Sequence, residues 1–255
     1  MSNGAQGLPE LTLGHLYPDQ LNIYGDRGNI ITLARRCAWR GIRLNVLPLH
    51  PGATFAPADV DLYFIGGGQD KEQTQIADDL VRSRGAALLQ AVEDGAPLLA
   101  VCGGYQLLAR SYRPADGSEL KGLGIFDAET VHPGIQAVRC VGNIALSWRS
   151  STLIGFENHG GRTYLGASAE PLGKVLKGFG NNGSDGHEGC IYRNAIGTYM
   201  HGSLLPRNPH LADHVLRLAL NRKYGLDRAD TIMIPLDDTL EWDAHRSMLR
   251  RLNVS

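Results

Sequence analysis

The sequence predicts an α/β fold, a central mostly parallel sheet flanked by helices with a β-rich C-terminal half, and three observations carry that expectation. Apolar runs of strand length alternate with segments of helical period, the pattern of a parallel or mixed sheet covered by helices. Two of those runs stop abruptly, residues 60–65 at Gly66-Gly67-Gly68 and residues 97–101 at Cys102-Gly103-Gly104, so the chain turns sharply at what should be the carboxyl edge of a sheet, where ligands usually bind. From Gly122 onward the glycines recur and the strands shorten.

Taken in order, residues 11–17 read as a first strand. After the turn-rich stretch 19–29, Ile30, Leu33, Ala34, Cys37 and Ala38 form one helical face that ends at Gly41. A strand is expected over 43–47 and a buried one over 60–65. Residues 86–93 look helical and stop at Asp94 and Gly95; the buried strand 97–101 leads into Cys102, and 103–110 resumes as a helix. The run 188–201 resembles a hairpin turning near Asn194 and Ala195. Residues 209–224 read as a late helix with Leu211, Val215, Leu216 and Leu218 on its buried side, and the tail beyond Asp227 is ambiguous. No repeat or linker divides the chain, so we expect one domain over 11–225, a flexible N-terminus over 1–10, and a C-terminal extension over 226–255 packed on the domain.

Composition narrows the function by exclusion. With 25 basic and 26 acidic residues and a formal charge of -1, no basic field favours nucleic acid or an anionic membrane. The first residues lack the charged flank and apolar core of a signal peptide, and no run approaches the roughly 20 apolar residues that span a bilayer, so a soluble, cytoplasmic protein without membrane insertion is expected. Cys37, Cys102, Cys140 and Cys190 are widely spaced, which argues against a disulfide framework or a CxxC metal site. No HExxH spacing or histidine and cysteine cluster suggests a metal, and no cofactor is expected.

Cys102 is the residue with chemistry written into its surroundings. A thiol between a buried strand and a helix, with the small residues Ala100 and Gly104 around it, sits in a strained turn with its sulfur at the sheet edge. The positive end of the following helix favours the thiolate, and the same amides can bind an oxyanion. A buried structural cysteine is the alternative, and it is the reading given to Cys37, Cys140 and Cys190. A thiol nucleophile needs a base that can later protonate the departing amine. His201 closes the apolar run 196–200, is followed by Gly202, and so also lies at a strand end. His15, His50, His132, His159, His187, His210, His214 and His245 compete for the role, most of them expected on the surface or in loops.

Three segments, Gly66-Gly67-Gly68-Gln69-Asp70, Ala100-Val101-Cys102-Gly103-Gly104-Tyr105-Gln106 and Gly197-Thr198-Tyr199-Met200-His201-Gly202, occur in the order of a class I glutamine amidotransferase of the cobyric acid synthase-like branch. Within that branch, Tyr24-Gly25-Asp26-Arg27-Gly28-Asn29 and Phe156-Glu157-Asn158-His159-Gly160-Gly161-Arg162-Thr163 resemble the GatD-type glutaminase subunits of lipid II isoglutaminyl synthase, over residues 11–220. The resemblance implies hydrolysis of L-glutamine, with ammonia passed to a MurT-like Mur ligase subunit in a heterodimer. That partner would use ATP to amidate the D-glutamate α-carboxylate of lipid II, giving D-isoglutamine, and lipid II would be met only through the partner.

Carried over by position, Cys102 is the nucleophile and His201 the acid and base. Arg139 would hold the glutamine α-carboxylate, for which a planar guanidinium is suited, and Gly67 with Gly103 would supply oxyanion amides. Many class I amidotransferases place a glutamate two residues after the histidine; here that residue is Ser203. The expectation is therefore a dyad, with His201 oriented by backbone, by Ser203, or by an acid from elsewhere such as Glu157. No GxxxxGK[ST] phosphate loop is present, so the ligase chemistry is expected on another chain, which weighs against a stand-alone corrinoid amidase. Another cysteine hydrolase and a non-catalytic stabilising subunit are the remaining rivals.

Overall fold

Apolar runs that do not alternate must be covered on both faces, and the computed structural model, which describes residues 7–23 and 25–254, shows the covering. The first half runs β1 (Glu10–Leu16), α1 (Arg27–Trp39), β2 (Arg43–Leu49), β3 (Leu62–Ile65), α2 (Asp70–Asp78), α3 (Gly85–Glu93), β4 (Leu98–Val101) and α4 (Gly103–Leu108). Short strands follow: β5 (Ser111–Arg113), β6 (Leu120–Lys121) and β7 (Ala128–Val131). Next come β8 (Cys140–Trp148), β9 (Ser151–His159), β10 (Arg162–Leu165), β11 (Gly173–Lys177), β12 (His187–Glu188), β13 (Cys190–Tyr192), β14 (Ala195–Thr198) and β15 (Met200–His201). The helices α5 (Pro209–Tyr224), α6 (Leu226–Ile232) and α7 (Thr239–Leu252) close the chain.

The main sheet has the order β13-β14-β4-β3-β1-β2. It is parallel except for β13, which forms the expected hairpin with β14. Every residue of β3, β4 and β14 is buried, whereas β2, with Pro48 in it, is the exposed edge. The β-rich half forms a five-stranded antiparallel sheet, β12-β11-β8-β9-β15, and a four-stranded mixed sheet, β10-β7-β5-β6, in which β5 and β7 run parallel.

One crossing between sheets positions the site. β14 lies beside β4, with Thr198 opposite Val101, and two residues later β15 has joined the antiparallel sheet, with His201 opposite Phe156 of β9. Tyr199 is the buried pivot between them. Because the Cys102 amide donates to the Thr198 carbonyl at 2.8 Å, the strand ends carrying Cys102 and His201 are fastened side by side.

The structure departs from the sequence expectations in three places. Residues 70–84 are helical, α2 continuing through a π-helical turn at Asp79–Arg84; the stretch is largely polar, and within α2 only Gln73, Ile76 and Ala77 are buried, too narrow a stripe to read. Ala38 is exposed and Leu218 only half-buried. The ambiguous tail is helical over Leu226–Ile232 and Thr239–Leu252 and is held at Asp238 by Arg36 at 2.6 Å, the same arginine pairing with Asp213 of α5 at 2.7 Å. Residues 1–6 of the expected N-terminal segment, and Tyr24 of the motif above, lie outside the described residues. Among the described residues no helix is long and apolar enough to cross a membrane, and all four cysteines are free and buried.

Candidate active site

The corner expected at Cys102 is strained in the way its neighbours allow. Cys102 has φ 48° and ψ -105°, a conformation a side chain rarely adopts and which here is imposed by buried β4 before it and α4 after it. Gly103 permits the turn to close: a Cβ there would lie 2.8 Å from the Gly68 nitrogen and 2.9 Å from its oxygen. The two abrupt strand ends read from the sequence are thus packed backbone against backbone. The Cys102 side chain lines a cavity of about 400 Å³ at that edge.

His201 is fully buried and lies beside the Cys102 thiol, close enough to interact with it electrostatically. Its Nδ1 lies 3.2 Å from Asp26 Oδ1, and Asp26 is also fully buried. Burial alone would lower the His201 pKa, but the Cys102 sulfur and the Asp26 carboxylate outweigh it and push the pKa well above the usual histidine value.

Asp26 is the group sequence reasoning missed, although it stands inside a motif that had been singled out. Its other oxygen, Oδ2, accepts the Gly67 amide at 2.7 Å. This corrects the expectation for Gly67, whose N–H is committed to a carboxylate and cannot also meet an oxyanion in this arrangement. The Gly103 amide, first of its helix, has no intrahelical acceptor. The Gly68 amide, backed against Gly103, makes no hydrogen bond among the described residues. Gly67 instead provides room, since a Cβ on it would sit 2.7 Å from His201 Cε1.

The two groups considered as orienters of His201 are engaged elsewhere. Glu157 is buried with its oxygens accepting the Phe179 and Gly180 amides at 2.7 and 2.9 Å. Ser203 donates to the Gly25 carbonyl at 2.8 Å, so it braces the loop that carries Asp26. His201's own strand is held by buried Glu188, which accepts the Tyr199 amide at 2.6 Å; burial raises the Glu188 pKa to about 8.

Arg139 lines the same cavity as Cys102, just before β8. Its Nε and Nη2 donate to Asn158 Oδ1 at 3.2 and 3.0 Å. Asp70, Lys71, Tyr112 and His132 share the wall. Beneath it, a polar chain runs from Gln73 through Gln106 to Tyr199 and on to Thr163 and Thr130, in links of 2.6 to 3.1 Å. Three of the other histidines differ from the expectation of surface positions: His159 is buried and stacked on Tyr199 at 3.7 Å, and His15 and His245 are buried too.

Fold and site define a glutamine amidotransferase. The domain model described as CobB/CobQ-like glutamine amidotransferase matches residues 12–209, and the chain belongs to that family. A solved structure, "Crystal structure of glutamine amidotransferase", shares the fold at a TM-score of 0.55 and 15% identity, over 81% of this chain and 98% of that one.

Among curated relatives, the GatD subunit of lipid II isoglutaminyl synthase (glutamine-hydrolyzing) from Staphylococcus aureus (strain N315) is 43% identical over 215 residues, which is 84% of this chain and 86% of that protein. The corresponding subunit from Streptococcus pneumoniae (strain ATCC BAA-255 / R6) is 39% identical over 222 residues, 86% of this chain and 84% of that protein.

Proposed function

We propose that this chain is the glutaminase subunit of a cytoplasmic lipid II isoglutaminyl synthase, hydrolysing L-glutamine and supplying ammonia to a MurT-like ATP-dependent ligase that amidates the D-glutamate α-carboxylate of lipid II. The observation that carries the reading is the buried His201 and Asp26 pair behind Cys102, which itself opens on a cavity, in a chain that matches GatD subunits over most of both lengths.

In the mechanism that follows, Cys102 gives its proton to His201 and the thiolate attacks the side-chain amide carbon of glutamine, while the Gly103 and Gly68 amides receive the oxyanion. Asp26 holds His201 Nδ1 as the donor toward it, leaving Nε2 for the transferred proton. His201 passes that proton to the departing ammonia as the C–N bond breaks, leaving a thioester. Water, deprotonated by His201, then attacks the thioester and releases glutamate and the thiol. Arg139 anchors the glutamine α-carboxylate.

The test is the chain assembled with its ligase partner, wild type beside Cys102→Ala. We expect the variant to lose glutamine-dependent amidation of lipid II, by at least about 10,000-fold, and to regain amidation with free ammonium. Wild-type product from Cys102→Ala on glutamine would instead make the chain a stabilising subunit, and absence of glutamate release by wild type in the complex would refute the glutaminase.

A further inference from the structure

We propose that Asp70, held by Tyr112, is the receptor for the α-ammonium of the substrate, so that the Cys102 cavity selects a zwitterionic amino acid rather than an amide in general. The inference rests on the glutaminase reading and extends it to specificity.

Asp70 is the first residue of α2, two residues after the glycine run packed against the Cys102 corner, and it lines the cavity with Cys102 and Arg139. Its Oδ1 accepts the Tyr112 hydroxyl at 2.6 Å. Tyr112 is buried in β5, and burial, together with the Asp70 charge, pushes its pKa up, so the phenol remains a donor. That bond fixes the carboxylate and leaves Oδ2 to a ligand. Among the described residues neither Asp70 nor Arg139 makes a salt bridge; Arg139 meets only the neutral Asn158.

One cavity therefore presents an anion, a cation and a thiol, with neither charge neutralised by the protein. An L-α-amino acid whose side chain ends in an amide satisfies all three at once. An amide lacking the ammonium leaves the Asp70 oxygen without a charged partner, and a charge-assisted hydrogen bond of this kind is worth about 10- to 100-fold in affinity.

The measurement is the rate at which Cys102 is alkylated, located by peptide mass, in the chain with and without its partner. Two reagents separate binding from thiol reactivity: a diazoketone analogue of L-glutamine, which carries both α-substituents, and iodoacetamide, which carries neither. Asp70→Asn should slow the diazoketone about 10- to 100-fold and Tyr112→Phe should slow it less, with iodoacetamide labelling at the wild-type rate in both. In steady state the loss should fall on KM for L-glutamine rather than on kcat.

Equal slowing with both reagents would overturn the proposal, because Asp70 would then be shaping the thiol. An unchanged diazoketone rate would overturn it as well. If wild type reacts with iodoacetamide but never with the diazoketone, the glutaminase reading itself fails, an outcome distinct from either variant result.

Discussion

The strand end that carries Cys102 and the strand end that carries His201 lie side by side, yet they are built differently. The Cys102 corner is made by consecutive residues: buried β4, one left-handed residue, then α4. The His201 end is made by distant ones, with Asp26 reaching it across 175 positions, Glu188 gripping Tyr199, and β9 pairing alongside. A nucleophile set by local strain leaves its mark in ten residues of sequence. The groups that orient a base through tertiary contacts leave no such mark.

The sharpest way to break that contrast is at Asp26. Asp26→Ala leaves the His201 Nδ1 and the Gly67 amide without their carboxylate, and should reduce kcat by about 1,000-fold or more. Ser203→Ala loses the hydrogen bond to the Gly25 carbonyl but leaves the Asp26 carboxylate in place, and should cost far less. Glutamate release with the partner present checks both; similar losses would mean that the loop position, and not the carboxylate, matters.

This is also where legibility ends. The parallel sheet, the glycine-terminated strands, Cys102 and His201 could be read because each is signalled by a contiguous run. Asp26 could not, since it lies in a turn segment without periodicity and its role exists only once β1, β3 and β15 are brought together. The role of Gly67 was hidden for a related reason: which amide of a glycine run is free depends on which one a distant carboxylate has already taken. Helix α2 was missed because its buried stripe is so narrow.

A smaller effect is expected from Gly67→Ala. The new methyl would sit 2.7 Å from His201 Cε1 and 3.2 Å from Asp26 Oδ2, so the imidazole must shift while the Cys102 corner keeps its geometry. A displacement of that order costs about 100-fold in turnover. Glutamate release with the partner present would reveal it, and iodoacetamide labelling of Cys102 would show that the thiol itself stays accessible.

The mildest test concerns the far side of the sheet that supports His201. There α7 packs on β8 and β9 through Trp148, His210, His214, Trp242 and His245, with the His210 ring stacked on Trp242 at 4.8 Å. Burial, aided by neighbouring positive charge, lowers the pKa of His210 and of His214 from 6.5 to about 4. The unfolded chain therefore takes up these protons first, and stability present above pH 6.5 is lost as the pH falls toward 4. With solvent screening of these half-buried rings, the loss should be about 1–2 kcal/mol. Urea midpoints followed by tryptophan fluorescence would show it, and His214→Gln should flatten part of the slope. Because β9 is the strand on which β15 rests, acidification should release His201 before it disturbs the locally built Cys102 corner; simultaneous loss of both would show that the two strand ends are held as one unit.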